Sequence, residues 1–383
     1  MTHRQGKPLR RWLTVQRIAA LACSAVLLGC SSGPEKPKPT PLEELAPKIA
    51  GKVVWNQRVG SVNPTTLLAV SGDVVTIGLK DGSVVALESE TGRELWRADA
   101  GARLSAAAGS DGRFAAVVTE NNEVVTFDQG KQIWRARLGS KVVTPPLVAG
   151  ERVFVQGVDR AAVAFDALDG RKLWVQQPQG DPLTLAQPSV LMPFKDTLLS
   201  GQGAKLAGLD PLLGTVRFEV TVASPRGTNE VERLADLVGP GGRAGDVVCV
   251  RAFQAAVGCV NAERGSLVWS KTIGGFQGVA ADDQYVFAGD ASDRITAWRM
   301  VNGDVAWSSE RFMHRGLSAP LSAGRTVVFG DAEGYVHFLS REDGQPLLRI
   351  QTDGEPIIGA PVRSGSTIIV LTAGGSVFAF RPE

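Results

Sequence analysis

The stretch Ala86-Leu87-Glu88-Ser89-Glu90-Thr91-Gly92-Arg93-Glu94-Leu95-Trp96 recurs along this chain. A second copy reads Ala164-Phe165-Asp166-Ala167-Leu168-Asp169-Gly170-Arg171-Lys172-Leu173-Trp174, and the same frame ends again at Trp269 and at Trp307. Self-similarity at a fixed period is typical of solenoids and propellers. The repeat therefore has to be explained before any other feature of the sequence.

The spacing of the repeat predicts the fold. Eight positions end the copies, some of which are degenerate: Trp55, Trp96, Trp134, Trp174, Phe218, Trp269, Trp307 and Leu348. These anchors lie 38 to 51 residues apart, about 42 on average, and a four-stranded propeller blade takes roughly 40–45 residues. Within one period, Val74–Gly78 and Ser83–Leu87 are β-rich runs on either side of Asp81-Gly82, a dipeptide typical of a hairpin turn.

The two ends of the repeat region predict how the propeller closes. Three strands follow Leu348, at Ile358–Val362, Thr367–Leu371 and Ser376–Phe380. The strand Lys52–Trp55 has no blade of its own. We therefore expect residues 51–383 to form an all-β domain, an eight-bladed β-propeller of four-stranded blades whose last blade is closed by the N-terminal strand. Such closure leaves no blade unpaired.

The periodic tryptophans have two interpretations. They stack on a cofactor, or each ring covers the surface of the neighbouring blade. We expect packing between blades, because the placement is periodic. The recurrent glycines are interpreted in the same way as turn residues rather than phosphate-binding loops.

Residues 1–29 have the features of a lipoprotein signal peptide. Basic residues between Arg4 and Arg17 precede the apolar stretch Ile18–Leu28, which is too short to span a bilayer. Leu27-Leu28-Gly29-Cys30 resembles a bacterial lipobox, in which the cysteine is diacylated and becomes the first residue of the mature protein. Ser31, rather than an aspartate, follows this cysteine and resembles lipoproteins that are sent to the outer membrane, so we expect Cys30 to anchor the chain on the periplasmic face of that membrane. An ordinary signal peptide is the alternative.

Residues 30–50 are expected to form a tether between the lipid and the propeller. Five prolines between Ser31 and Pro47 favour an extended, semi-rigid chain. Residues 1–29 hold five Lys and Arg and no acidic residue, so their removal changes the formal net charge from +2 to −3. This charge balance gives no support for nucleic-acid binding.

Cys249 and Cys259 lie on the two arms of one predicted hairpin around Gln254. An oxidising periplasm permits a cross-strand disulfide between them. Two small, buried, reduced side chains are the alternative, and the sequence leaves the choice open.

The sequence holds no recognisable catalytic or metal-binding motif. Its three histidines, His3, His314 and His337, are too few for a cluster, and no nucleophile elbow, Walker loop or EF-hand loop is present. We therefore expect no enzyme activity, no cofactor and no metal. The repeat resembles that of pyrroloquinoline-quinone dehydrogenases, but the chain lacks the adjacent cysteines that those enzymes place under the quinone. A periplasmic quinoprotein-like enzyme or ligand-binding propeller stays the alternative.

Two connections between blades are longer than packing needs. The first, Val175–Gln187, contains Leu183 and Leu185, which point the same way in an extended chain. The extra residues of the second are Ser224–Gly245. Both connections follow an outer strand and belong to neighbouring blades, so we expect them to form one contact patch on one face. The alternative is that the leucines are buried in their own blade.

Three further motifs carry a resemblance to a known family. They are Glu230-Val231-Glu232-Arg233-Leu234-Ala235-Asp236, His314-Arg315-Gly316-Leu317-Ser318-Ala319-Pro320 and Gly330-Asp331-Ala332-Glu333-Gly334-Tyr335-Val336-His337. With the lipobox, the tether and the repeat, they resemble the BamB family, the propeller lipoproteins of the outer-membrane β-barrel assembly machine. The resemblance covers essentially all of the mature chain.

The resemblance implies a non-enzymatic scaffold that docks on the POTRA domains of the central barrel subunit and assists the assembly of outer-membrane proteins. Unfolded outer-membrane protein clients are a second class of partner. Leu183 and Leu185 match the family's L-x-L-R contact loop, with alanine in place of its arginine, and Asp236 matches the first acid of its D-x-D segment, with Val238 in the second place. Glu230 and Arg233 are counted with them as partner-binding residues. If Asp236 lies at the rim of this surface, it should contribute less than the leucines.

Overall fold

The computed structural model describes residues 1–2, 37–178, 184–224, 228 and 234–382. These residues form 32 β-strands, which assemble into eight four-stranded antiparallel sheets. The first strands of consecutive blades contact one another around the centre, except that β18 (Leu237–Ala244) of blade 5 contacts the second strand of blade 4. β2 (Ala69–Ser71) closes this ring by touching both β6 (Gly109–Ser110) and β30 (Ile357–Ser364). The described residues include no helix long and apolar enough to cross a bilayer. The predicted eight-bladed all-β propeller is confirmed.

Each blade runs from an inner to an outer strand in chain order. Blades 1 to 4 consist of β2–β5 (Ala69–Ser71, Val74–Gly78, Ser83–Glu88, Glu94–Asp99), β6–β9 (Gly109–Ser110, Phe114–Val118, Glu123–Asp128, Lys131–Arg137), β10–β13 (Leu147–Ala149, Arg152–Gln156, Ala162–Asp166, Lys172–Gln176) and β14–β17 (Leu191–Phe194, Thr197–Gln202, Lys205–Leu209, Val216–Thr221). Blades 5 to 7 consist of β18–β21 (Leu237–Ala244, Val247–Ala252, Ala256–Asn261, Ser266–Thr272), β22–β25 (Ala280–Ala281, Tyr285–Gly289, Ile295–Arg299, Val305–Ser309) and β26–β29 (Leu321–Ala323, Thr326–Gly330, Tyr335–Ser340, Pro346–Gln351).

The last blade is closed by the first strand of the domain. Blade 8 contains β30, β31 (Thr367–Thr372) and β32 (Ser376–Pro382), and its outer strand is β1 (Gly51–Arg58). β1 pairs antiparallel with β32, so that Lys52 faces Arg381 and Trp55 faces Ala379. The predicted closure is confirmed, and the strands extend a few residues beyond the predicted bounds.

The middle strands of each blade are buried on both faces because neighbouring blades cover them. In β3 four of the five residues are buried, and in β4 the four central residues are buried. Outer strands such as β5 alternate between exposed and half-buried positions, because only one face is covered. The core is therefore divided into layers between the blades.

Each repeat anchor belongs to the packing of the next blade. An added Cβ atom at Gly92 would lie 2.5 Å from the ring of Trp55, so only glycine fits beneath the indole. The same pairing recurs for Trp96 on Gly130, Trp134 on Gly170, Trp174 on Gly214, Phe218 on Gly265, Trp269 on Gly303 and Trp307 on Gly344. The indole N–H of Trp55 also donates to the Ser89 carbonyl at 3.0 Å, and that of Trp134 donates to the Ala167 carbonyl at 2.8 Å. The interpretation of the tryptophans as blade-to-blade packing is confirmed.

The two cysteines of the propeller domain are bonded to each other. Cys249 on β19 faces Cys259 on β20, and their sulfur atoms form a disulfide. The bond lies in the layer between blades 5 and 6, where both residues are fully buried. The choice that the sequence leaves open is thus resolved in favour of the cross-strand disulfide.

The end of the expected tether lies against blade 7. The Thr40 N–H donates to the Met313 carbonyl at 2.9 Å, and the Lys48 N–H donates to the Leu347 carbonyl at 2.7 Å. Leu42 packs on the apolar cluster that contains Phe312. Residues 40–48 therefore belong to the packed body of the domain.

Candidate partner-binding site

Several of the sequence-predicted site residues lie outside the described part of the chain. These are Cys30, Leu183, Glu230 and Arg233. Leu185 and Asp236 are described, and each stands near the end of one of the two long connections. The geometry of the site is therefore built from these two residues.

The described ends of the two connections meet. The connection from β13 to β14 carries Leu185, and the connection from β17 to β18 carries Asp236. The Leu185 N–H donates to Oδ2 of Asp236 at 2.7 Å, although 51 residues separate them in sequence. Because strands alternate in direction, connections that follow outer strands leave the propeller at the same end as the turns between second and third strands. We call this end the connection face.

Asp236 is engaged by groups of its own chain. Its Oδ1 lies 3.1 Å from Nη2 of Arg160, which stands in the turn between β11 and β12 of blade 3, and only 11% of the Asp236 side chain is exposed. The Asp236 carbonyl accepts a bond from the Phe253 N–H at 3.0 Å. The structure thus places Asp236 away from the rim of the surface. Its carboxylate ties blade 3 to two connections, and this makes it a positioning group.

Leu185 is half-buried. It is therefore neither fully exposed, as a contact patch alone predicts, nor buried in its own blade. It lines a small depression with Val143, Val158 and Leu237. The preceding residue is also fixed, since the Thr184 hydroxyl donates to the Val158 carbonyl at 2.7 Å. Leu185 thus combines a fixed backbone with a side chain that remains partly accessible, as a preorganised apolar contact requires.

Val238 occupies the place of the second acid in the family's acidic segment. Its side chain is 2% exposed, as the first strand of blade 5 passes through the core at this point. A valine is compatible with that burial, whereas a carboxylate there needs partners of its own. Val238 therefore contributes to packing and brings no charge to this surface.

The second and third family motifs meet in one buried charge cluster at blade 7, since Arg315 belongs to the second motif and Asp331 and His337 belong to the third. Nε of Arg315 donates to Oδ2 of Asp331 at 2.8 Å, and Nη1 donates to the Thr40 carbonyl at 3.0 Å. Nε2 of His337 lies 2.9 Å from the same Asp331 oxygen. Burial lowers the pKa of His337, and the imidazole is therefore neutral. Burial alone raises the pKa of Asp331, but the hydrogen bonds from His337, Tyr335 and Arg315 outweigh it and leave that pKa below its ordinary value.

This cluster is structural. It joins a turn of blade 7, the connection that precedes the blade and the N-terminal segment at Thr40. Among the residues that the structure describes, no group of three His, Cys, Asp or Glu side chains is arranged to hold a metal ion.

Sequence reasoning missed Arg160. Its neighbours in sequence mark an ordinary turn, and Arg160 itself has a φ of 64°, in the left-handed region. No spacing rule connects it with Asp236, which follows 76 residues later. Only the arrangement of blades brings the two together.

Comparison with known proteins identifies the family. A family model described as outer membrane protein assembly factor BamB matches residues 80–309. The outer membrane protein assembly factor BamB of Burkholderia pseudomallei is 36% identical, over 95% of this chain and 98% of that protein. The protein of the same name from Bordetella pertussis is 35% identical, over 99% of both chains. This chain belongs to the BamB family. The resemblance seen in its motifs is confirmed.

Solved structures agree with the BamB fold. The crystal structure of BamB from Moraxella catarrhalis has a TM-score of 0.78 and 18% identity, and the match covers 87% of this chain and 100% of that one. A quinohemoprotein alcohol dehydrogenase from Comamonas testosteroni has a TM-score of 0.63 and 13% identity, over 86% of this chain and 76% of that one. At these identities both likenesses show the fold alone. The relatives that cover the whole chain are assembly factors, which favours that function over the quinoprotein alternative.

Proposed function

We propose that this chain is a non-enzymatic scaffold that assists the assembly of outer membrane proteins by docking on the central barrel subunit of the assembly machine. Membership of the BamB family supports the function, since the relatives are named outer membrane protein assembly factors. The observation that carries the docking proposal is the bond from Leu185 to Asp236, which holds two long connections together on one face.

The proposed docking surface is the part of the connection face around Leu183 and Leu185. Asp236 and Arg160 hold Leu185 in place, and Glu230 and Arg233 belong to the same connection as Asp236. Apolar residues on a prepared loop lose little conformational entropy on binding, and this makes them suitable anchors. The partner elements are the periplasmic POTRA domains of the barrel subunit.

The proposed location is the periplasmic face of the outer membrane, with a lipid on Cys30. Residues 1–29 act as the signal peptide, and the chain between Cys30 and Thr40 leads from the lipid to the propeller. This location brings the connection face within reach of a partner embedded in the same membrane. Unfolded outer-membrane proteins are proposed as further, transient partners.

Binding of the lipidated protein to the complete barrel subunit in detergent tests the docking proposal. We expect Leu183→Ala with Leu185→Ala to raise Kd about thirtyfold, since truncated interface anchors cost about 2 kcal/mol. Removal of the POTRA domains from the barrel subunit should abolish the binding.

The matched control for the leucine pair is Leu212→Ala with Leu213→Ala. These leucines are 59% and 69% exposed in the turn between β16 and β17, at the end of blade 4 opposite to the connection face. The control should bind as the wild type does. A folded Leu183/Leu185 variant with wild-type affinity would place the interface elsewhere.

A further inference from the structure

A second buried charge holds a third connection on the same face. Arg251, the penultimate residue of β19, is completely buried. Its guanidinium donates to backbone carbonyls: Nε to Gln277 at 2.7 Å, Nη1 to Gly274 at 3.1 Å and Nη2 to Gly289 at 2.7 Å. Burial lowers the pKa of Arg251 to about 10, so the group stays charged at neutral pH. A buried cation is costly to maintain, and here its bonds fix the connection from β21 to β22.

That connection presents an aromatic side chain to solvent. Phe276 is 42% exposed, and its ring centroid lies 6.3 Å from that of Phe253, in the turn between β19 and β20. Gly275 precedes it with a φ of 149°, and an added Cβ there would lie 2.5 Å from Nη1 of Arg251. The backbone must therefore pass directly over the guanidinium, and this sets the position of Phe276.

The aromatic pair is continuous with the proposed docking surface. The Phe253 N–H donates to the Asp236 carbonyl at 3.0 Å, and the Asp236 carboxylate accepts the Leu185 N–H at 2.7 Å. Leu185, Asp236, Phe253 and Phe276 thus follow one another across the connection face. The buried carboxylate of Asp236 holds Leu185, and the buried guanidinium of Arg251 holds the connection that carries Phe276.

The surroundings of Phe276 indicate the chemistry of what it meets. The ring borders a depression of about 250 Å³ at the mouth of the central channel. Pro188, Val238, Leu317 and Ile358 contribute to the lining, and none of the described lining residues is Asp, Glu, Lys, Arg or His. An exposed aromatic ring beside an uncharged depression suits an apolar side chain of a partner.

We propose that Phe276, backed by Phe253, is an aromatic anchor of the docking surface, and that it receives an apolar segment of the barrel subunit's periplasmic domains. Arg251 is the positioning residue for this anchor. The inference rests on the proposed function, and it extends the interface from blade 4 to the connection between blades 5 and 6, beside the mouth of the central channel.

Phe276→Ala in the full lipidated protein tests the proposal against the complete barrel subunit in detergent. We expect Kd to rise about tenfold to thirtyfold. This ratio of the variant's Kd to the wild-type Kd should be the same at low and high salt, because no charged residue lines the described part of the depression. Phe276→Leu should restore most of the affinity. The matched control is Leu267→Ala, since Leu267 is 44% exposed on outer strand β21 of blade 5 and lies outside the proposed surface.

Arg251→Lys separates positioning from general stability. Lysine keeps the charge but cannot reach three carbonyls at once, so chymotrypsin should cleave after Phe276 faster in this variant. Combining Arg251→Lys with Phe276→Ala should weaken binding no further than Phe276→Ala alone, because both act through one side chain. Additive losses would contradict the positioning role.

Two results would overturn the inference, and they differ in what they imply. If Phe276→Ala binds as the wild type does while the Leu183/Leu185 variant is weakened, the aromatic anchor is wrong and the proposed function stands. If the wild-type protein does not bind the barrel subunit, both are wrong.

Discussion

Replacing Asp236 by alanine tests whether a buried carboxylate holds Leu185 in place. The variant removes two contacts at once, the 2.7 Å bond from the Leu185 N–H and the 3.1 Å ion pair with Arg160. A hydrogen bond to a charged acceptor contributes about 1.5–3 kcal/mol. Breaking a buried ion pair costs about 3–5 kcal/mol, and the 19% exposure of the Arg160 side chain puts this pair below that range.

The two effects share one carboxylate and do not add fully, so we expect a cost of about 3 kcal/mol. This cost appears as local opening of the connections rather than as global unfolding. A change of about 3 kcal/mol corresponds to roughly a 150-fold increase in the population of the open state. Amide hydrogen exchange of a peptide that covers residues 184–188 measures it directly.

Binding to the barrel subunit should weaken in the same variant, at most by the loss that Leu185→Ala causes. The loss of affinity relative to the wild type should be the same at low and high salt, because salt screens the largely buried ion pair of the wild type poorly. The matched control is Asp246→Ala, which removes an acid that is 48% exposed and paired with Lys195 at the opposite end of the propeller. Unchanged exchange at Leu185, together with a binding loss that shrinks in salt, would refute the positioning role and make Asp236 a direct contact.

Three further predictions concern the anchor, the closure and the pH dependence. Cys30→Ala should release the protein from the outer membrane in cell fractionation, and full retention in the absence of its partners would contradict the lipid anchor. Deletion of Lys52–Gln57 should lower the free energy of unfolding by at least about 3 kcal/mol, as judged by thermal denaturation, because it removes a large aromatic side chain and exposes the edge of β32. The folded-state pKa of His337 lies below its unfolded value, so its contribution to stability is fully present above about pH 6.5 and is lost as the pH falls below that value. His337→Gln should flatten this part of the profile of melting temperature against pH, and an unchanged profile would mean that another group is responsible.

The propeller was predictable from sequence because the same pattern of strands and turns recurs in each blade. A wrong assignment in one copy is corrected by the others, and β3 has the predicted bounds Val74–Gly78. Closure was predictable for the same reason, since three strands after Leu348 leave a vacancy that only Lys52–Trp55 fills. The stacking of each tryptophan on the next blade's glycine also follows from the period.

The arrangement of the site was harder to predict from the sequence, because it depends on contacts between residues outside the repeat. Nothing in the sequence near Asp236 indicates that Arg160 turns the acid inward. Arg251 looks like an ordinary strand residue, although its side chain is completely buried and organises a connection. Such contacts join different blades, and they become visible only when the blades are in place.

The pairing of the first strand with the last determines when the domain can fold. Gly51 faces Pro382, so the strand pairing that closes the ring joins the first and last strands of the propeller. Synthesis begins at the N-terminus, so β1 is made first and has no blade partner until β32 follows. Blades 1 to 7 can form from local hairpins during this time, while β1 remains an open edge. The ring can therefore be completed only after the whole chain has been made, and a product truncated before β32 keeps β1 unpaired, as an exposed edge that favours aggregation.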